Sequence, residues 1–359
     1  MKWPAHGSNP HYLFDALNLK MPEERVDFSA NINPLGPPAV LKENWNQLLS
    51  LITDYPDPQA AVLKKKLAVK EGLEESQILI GNGGAEIISL IGRLLAGKNA
   101  VIIQPAFSEY EEACIVNGCA VQYHHLQPGS WEWANDELSQ KLANADALFL
   151  CNPNNPTGVY FSRSDVLHLL EECRKNDCLL IVDEAFYDFL PVYQPIVPYI
   201  KNCPHLLVIR SMTKMFAIPG LRLGYLLAHT EVIRKIGVFQ PHWSINALAL
   251  KAGEWCLDSE SYIKETTRLI EEEKLRLFHF YQDHKLLFSP SQINFYLLKD
   301  PSLNNQLPFL KFLIQRGLIP RHTQNFPGLA GEWLRFAVKG RRDNDKLMEA
   351  VEEWLNNRQ

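Results

Sequence analysis

No stretch of this 359-residue chain reaches the roughly 18 uninterrupted apolar residues that a membrane helix needs. Its opening, Met1-Lys2-Trp3-Pro4-Ala5-His6-Gly7, has no apolar core of a secretion signal, so a cytoplasmic protein with no membrane partner is expected. Basic excess is missing as well: the formal net charge is −5, which leaves no overall footprint for nucleic acid. Any anionic ligand must be held by local arginines. The seven cysteines include no Cys-x-x-Cys unit, and Cys173 and Cys178 have no neighbouring histidines, so neither a metal site nor a disulfide framework is indicated. A dinucleotide fingerprint fails in Gly81-Asn82-Gly83-Gly84-Ala85-Glu86, where Glu86 stands at the place of the third glycine, and no Walker lysine follows. Internal repeats and low-complexity segments are absent. What is there is an ordinary globular composition, 46% hydrophobic and 21% charged, long enough for one large domain and a smaller one.

The apolar run Leu206-Leu207-Val208-Ile209 reads as a buried strand and leads into Ser211-Met212-Thr213-Lys214-Met215-Phe216, continuing to Arg222. Lys214 thus falls just past a strand end, where open α/β sheets place their ligands. Desolvation by Met215, Phe216 and Ile218 would lower its pKa and free the amine to form a Schiff base. Ser211, Thr213 and Arg222 make a donor set suited to a dianionic phosphate. Most loop lysines are simply solvated, so this stretch does not decide the matter alone.

Three further strands end at polar turns. Ile78-Leu79-Ile80 leads into a small-residue turn and an amphipathic helix around Gly84 and Ala85, an arrangement that aims backbone N–H groups at a phosphate. Ala147–Cys151 runs into Asn152-Pro153-Asn154-Asn155-Pro156-Thr157-Gly158, which turn chemistry alone could explain. Leu179–Val182 ends at Asp183-Glu184, where an acid is either a helix cap or a functional carboxylate. A fourth strand, Ala100–Gln104, is followed by Phe107 and Tyr110. Residues 1–38 read as a loop-rich arm, 39–283 as the large domain with helical patterns at Ala39–Ile52, Gln59–Glu71 and 242–283, and 284–359 as a small α/β domain. That small domain holds Arg321 and, inside an apolar strand, Arg335, whose desolvated fork suits a carboxylate.

The string from Ser211 to Tyr225 resembles the cofactor-lysine signature of fold-type I pyridoxal-phosphate (PLP) enzymes, in the branch of histidinol-phosphate aminotransferases and threonine-phosphate decarboxylases. Five separated motifs carry the resemblance: Gly83–Glu86, Asn155–Gly158, Asp183, Lys214 with Arg222, and Arg335. It implies an α/β fold: a large PLP-binding domain with a mostly parallel central sheet in an α/β/α sandwich, plus a small α/β domain. It also implies Lys214 as Schiff-base lysine and proton shuttle, Asp183 on the pyridine nitrogen, Asn155 on the ring hydroxyl and Phe107 stacked on the ring, with Tyr110 in reserve and Glu184 without a role. The cofactor phosphate falls to Ser211, Thr213, Arg222 and the Gly84 and Ala85 amides. Tyr55 would reach the neighbouring site of a homodimer, and Asn31, His6, Arg321 and Arg335 would contact substrate.

Within that branch, His6-Gly7-Ser8-Asn9, Asn31-Ile32-Asn33-Pro34-Leu35-Gly36 and Phe186 are similar to the decarboxylases; the aminotransferases usually have Tyr where Phe186 stands, and Tyr187 comes one position late. The resemblance therefore implies decarboxylation of a phospho-amino acid for corrinoid synthesis, with transamination of histidinol phosphate or an aromatic amino acid as the alternative. A regulator with this fold would need a DNA-binding extension, and motifs starting within the first forty residues leave an enzyme as the expectation.

Overall fold

The computed structural model describes residues 3–357. Seven strands form the main sheet in the spatial order Ile78–Gly81, Gly224–Ala228, Leu206–Ser211, Leu179–Asp183, Ala147–Cys151, Asn99–Gln104, Ala120–His125. Only Gly224–Ala228 runs against the others. The apolar runs have their physical reason in this sheet, because its inner strands are covered on both faces. Leu148, Leu150, Leu180, Val182, Leu206 and Val208 point into one core, while Phe149, Ile181, Leu207 and Ile209 point into the other. Each such fully buried side chain contributes about 1.5–3 kcal/mol, and together they fix the strand register. The result is the expected three-layer sandwich of α/β class.

A second, antiparallel sheet has the order Arg321–His322, Leu334–Ala337, Phe295–Lys299, Leu287–Phe288, with helices Leu307–Gln315 and Arg341–Asn356 beside it. Its register makes Arg321 and Arg335 direct cross-strand partners. Among the described residues no helix is long and apolar enough to cross a membrane.

Several elements differ from the sequence expectation. The arm is not merely loop: Pro10–Leu17 is a helix, started by Pro10 and anchored by buried Leu13, Phe14 and Leu17. Val26–Asp27 pairs in parallel with Leu318–Ile319, tying the arm to the small domain. The helix expected over Ala39–Ile52 tightens after Asn44 into a 3₁₀ segment, Trp45–Thr53. The next one starts at Ala61, two residues late, because Ala60 is left-handed and Asp57 accepts from the Gln59 and Ala61 amides. The 242–283 pattern resolves into Ala247–Leu257 and Glu260–Asp283.

Candidate active site

Cys151 and Asp183 end adjacent parallel strands as direct register partners, and Ser211 ends the next strand along. Just beyond Ser211 the chain turns, and Lys214 Nζ donates to Thr213 Oγ1 at 2.8 Å, while that hydroxyl lies 2.8 Å from Ser211 Oγ. Burial pushes the Lys214 amine down to about 8, with Arg222 and Arg335 acting in the same direction and Asp183 against it. A usable fraction of neutral amine therefore exists near physiological pH, which nucleophilic attack on a carbonyl requires.

Asp183 is buried and makes no ion pair among the described residues; its oxygens accept from the Ala185 amide at 2.9 Å and from the Tyr110 hydroxyl at 2.6 Å. Burial raises its pKa above the ordinary carboxylate range. A buried acid without a cation is costly unless a ligand supplies one, and a protonated ring nitrogen is such a ligand. The adjacent Glu184 has a different fate. It accepts from Arg210 Nε and Nη2 at 3.0 Å each and from the Tyr193 hydroxyl, so its charge is spent inside the core.

The small-residue turn makes an anion cradle. Gly83 lies at φ +82°, and a Cβ there would stand 2.6 Å from Arg222 Nη2, so only glycine lets the guanidinium lie against the turn. Directly after it the helix Gly84–Leu94 presents its first N–H groups, a favourable end for phosphate. The donors and the acid together fit a phosphorylated, nitrogen-containing aldehyde cofactor: Arg222, the Gly84 and Ala85 amides and the Ser211–Thr213 hydroxyls for the phosphate, Asp183 for the ring nitrogen.

Beside this cradle opens a cleft of about 450 Å³, walled by His6, Asn31, Ala85, Phe107, Asn155, Lys214, Arg222, Arg321 and Arg335 among others. Arg335 donates through Nη1 to Asn155 Oδ1 at 2.5 Å and through Nη2 to the Ser29 carbonyl at 2.7 Å. Arg321 donates to the Ala5 carbonyl at 2.6 Å and to Asn325 Oδ1 at 2.7 Å. Neither arginine has a carboxylate in an ion pair among the described residues, and burial pushes Arg335 down to about 9 and Arg321 to about 10. Both remain charged at neutral pH. Arg335 Nε and Asn31 Oδ1 are buried with no hydrogen-bond partner among the described residues, which is what a site built for a polar ligand leaves behind.

The structure therefore gathers nine of the residues expected from sequence on one cleft wall. Asp183, Gly84, Ser211 and Thr213 lie beside that wall rather than on it. Tyr55 does not line the cleft of its own chain: it is 84% exposed and leans on Trp243 at 5.0 Å. Tyr110 is not a second stacking ring, since it is buried against Phe149 and bonded to Asp183. Phe186 lines the cleft edge-on to Phe295 at 4.8 Å and brings no hydroxyl.

Glu109 was not anticipated. Its Oε1 lies 3.1 Å from His6 Nε2, so it fastens the arm to the large domain at the cleft rim and is held below the usual carboxylate range by that contact. Its place two residues after Phe107 was the only available signal.

Amine chemistry on an aldehyde cofactor, with an acid behind the ring and a phosphate at a helix start, is the working principle of PLP enzymes, and this sheet is the form it takes in fold type I. The family model for aminotransferases of class I and II matches residues 23–353, and the chain belongs to that family. It is 36% identical over 358 residues to the threonine-phosphate decarboxylase of Salmonella typhimurium, covering 98% of this chain and 96% of the other. It is 31% identical to the adenosylcobalamin biosynthesis bifunctional protein CobDQ of Leptospira interrogans, covering 98% of this chain and 41% of that one. Among solved structures, the histidinol-phosphate aminotransferase of Clostridium acetobutylicum superimposes with a TM-score of 0.86 at 30% identity, covering 92% of this chain and 99% of the other.

Proposed function

We propose that this protein is a PLP-dependent decarboxylase of an O-phospho-amino acid, L-threonine O-3-phosphate first, yielding 1-aminopropan-2-ol phosphate and CO2 for corrinoid synthesis. The observation that carries this reading is the cross-strand pair Arg321 and Arg335. Like charges directly opposite each other destabilise a strand pair, and both are buried with no ion pair to a carboxylate among the described residues. A substrate bearing two anionic groups, carboxylate and phosphate, resolves that conflict. The 36% identity to the Salmonella threonine-phosphate decarboxylase, over 98% of this chain, supports the same substrate class.

Arg335, bonded to Asn155 on the cofactor side, takes the carboxylate; Arg321, bonded to the arm at Ala5, takes the phosphate with His6 and Asn31. The cofactor, when bound, supplies a ring that accepts the electron pair released at the substrate α-carbon. Asp183 holds the proton on the ring nitrogen. Asn155 has its Oδ1 committed to Arg335, so its amide N–H groups would be the ones to hold the ring hydroxyl. By fixing the substrate carboxylate, Arg335 would decide which bond to the α-carbon is set to break. Lys214 Nζ then delivers a proton to the α-carbon that the carboxylate has left.

The enzyme is proposed to be a cytoplasmic homodimer. Exposed Trp45, Leu49, Ile52 and Tyr55 lie on one stretch, as an interface requires, and Tyr55 would reach the neighbouring cofactor phosphate. Residues 1–38 form an arm that packs on the small domain and the active site, 39–283 the large cofactor-binding domain with its connecting helices and 284–359 the small C-terminal domain. The likeness to a histidinol-phosphate aminotransferase supports transamination as the second reading. Purified enzyme with threonine phosphate separates the two: CO2 release without a keto acid is expected, and turnover only with histidinol phosphate and 2-oxoglutarate would overturn the proposal.

A further inference from the structure

Tyr110 sits in the first turn of the helix Glu109–Val116, three residues after Phe107. Its ring is buried, stacked on Phe149 at 5.4 Å and 21°, with the Phe107 ring edge-on at 6.0 Å. Buried against two aromatic rings, the phenol is aimed rather than free, and its hydroxyl donates to Asp183 Oδ2 at 2.6 Å. Asp183 Oδ1 accepts from the Ala185 amide, so each carboxylate oxygen has one fixed donor. Burial raises the Asp183 pKa; the phenol is the first of the groups that oppose it, ahead of the Ala185 amide and Lys214. Cys151 is the other ionisable group beside the phenol, and burial pushes its thiol up to about 12, so it brings no charge of its own.

We propose that Tyr110 is a positioning residue whose phenol holds Asp183 in the orientation and charge state that keep a proton on the cofactor's ring nitrogen. The inference rests on the PLP reading above and adds a residue to it. The proton between a carboxylate and a pyridine nitrogen resides on the more basic partner. A hydrogen bond to the ionised carboxylate stabilises that form and lowers its basicity, leaving the proton on nitrogen, where it draws electrons from the α-carbon. Without the phenol the proton moves onto Asp183 and the ring becomes neutral. No atom is gained or lost; one proton changes its resting place.

The test is nitrogen-15 NMR near neutral pH on holoenzyme loaded with PLP labelled at the ring nitrogen. Wild type should show a pyridinium signal. Tyr110→Phe should move that signal toward neutral pyridine and lower kcat on threonine phosphate by roughly 10- to 100-fold, as for a lost bond to a charged group, with KM little changed. Replacing Tyr110 by 3-fluorotyrosine, a stronger donor with the same packing, should keep the pyridinium signal and the activity, which guards against a folding defect. A pyridinium signal unchanged in Tyr110→Phe would overturn the inference alone, whatever its thermal stability. Wild type that takes up no cofactor would overturn the PLP reading and this inference with it.

Discussion

Arg321 and Arg335 face each other across two antiparallel strands, both buried, and neither forms an ion pair with a carboxylate among the described residues. Arg210, one residue before Ser211 in its strand and equally buried, is treated otherwise: it is shared between Glu71 and Glu184. The contrast separates a charge that stabilises the fold from a pair held ready for a ligand.

Arg335 should be irreplaceable by lysine. A single ammonium nitrogen with three N–H groups cannot span Asn155 Oδ1, the Ser29 carbonyl and both oxygens of a carboxylate as the guanidinium fork does. Arg335→Lys and Arg335→Ala are both expected to lower kcat/KM for threonine phosphate by roughly 10- to 100-fold, the cost of a lost charge-assisted bond. Steady-state kinetics check this, with unchanged far-UV circular dichroism showing that the fold survives.

The Lys214 amine gives a pH dependence with a definite sign. It is charged below about 8 in the fold and below the usual 10.5 in the open chain. Burying the charged amine therefore destabilises the cofactor-free protein at and below pH 8, and the cost fades as pH rises toward 10.5. Lys214→Met should raise Tm at neutral pH and lose that gain in strong alkali, as calorimetry would show. Cofactor uptake by the unsubstituted protein should accelerate as pH rises through about 8, followed by absorbance.

Tyr55 predicts complementation. If its ring serves the partner's site, Tyr55→Ala and Lys214→Ala are each nearly inactive. Co-expressed, they form mixed dimers in which one site carries both substitutions and the other neither. Random pairing then restores about a quarter of wild-type activity. Absence of any recovery in confirmed mixed dimers would show that each chain completes its own site.

Arg210 should matter for stability. Arg210→Met leaves Glu71 and Glu184 buried without a cation and is expected to cost about 3–5 kcal/mol. A lower urea midpoint with an unchanged slope is the readout.

Much of this was legible in the chain because burial on both faces of the sheet writes strands as plain apolar runs, and the runs ending at Asp183 and Ser211 mark the reactive edge. The short helix Pro10–Leu17 was hidden by its flanks of Pro and Asn, with only Leu13, Phe14 and Leu17 as a stripe. Arg321 and Arg335 could be read as anion binders singly. Their pairing could not, since cross-strand register between positions so far apart is set by the tertiary fold. Tyr110 failed for the same reason: a spacing of three from Phe107 puts it on a helix without saying that Asp183 lies behind it. Glu109 stayed hidden because its partner His6 belongs to another segment.

The most direct measurement is turnover of threonine phosphate in deuterium oxide, with the product examined by mass spectrometry and NMR. Loss of the carboxylate and protonation at the same carbon predict an aminopropanol phosphate with one non-exchangeable deuterium there, one CO2 per product and no keto acid. A keto-acid product, or substrate that keeps its carboxylate and merely exchanges its α-hydrogen for deuterium, would contradict decarboxylation.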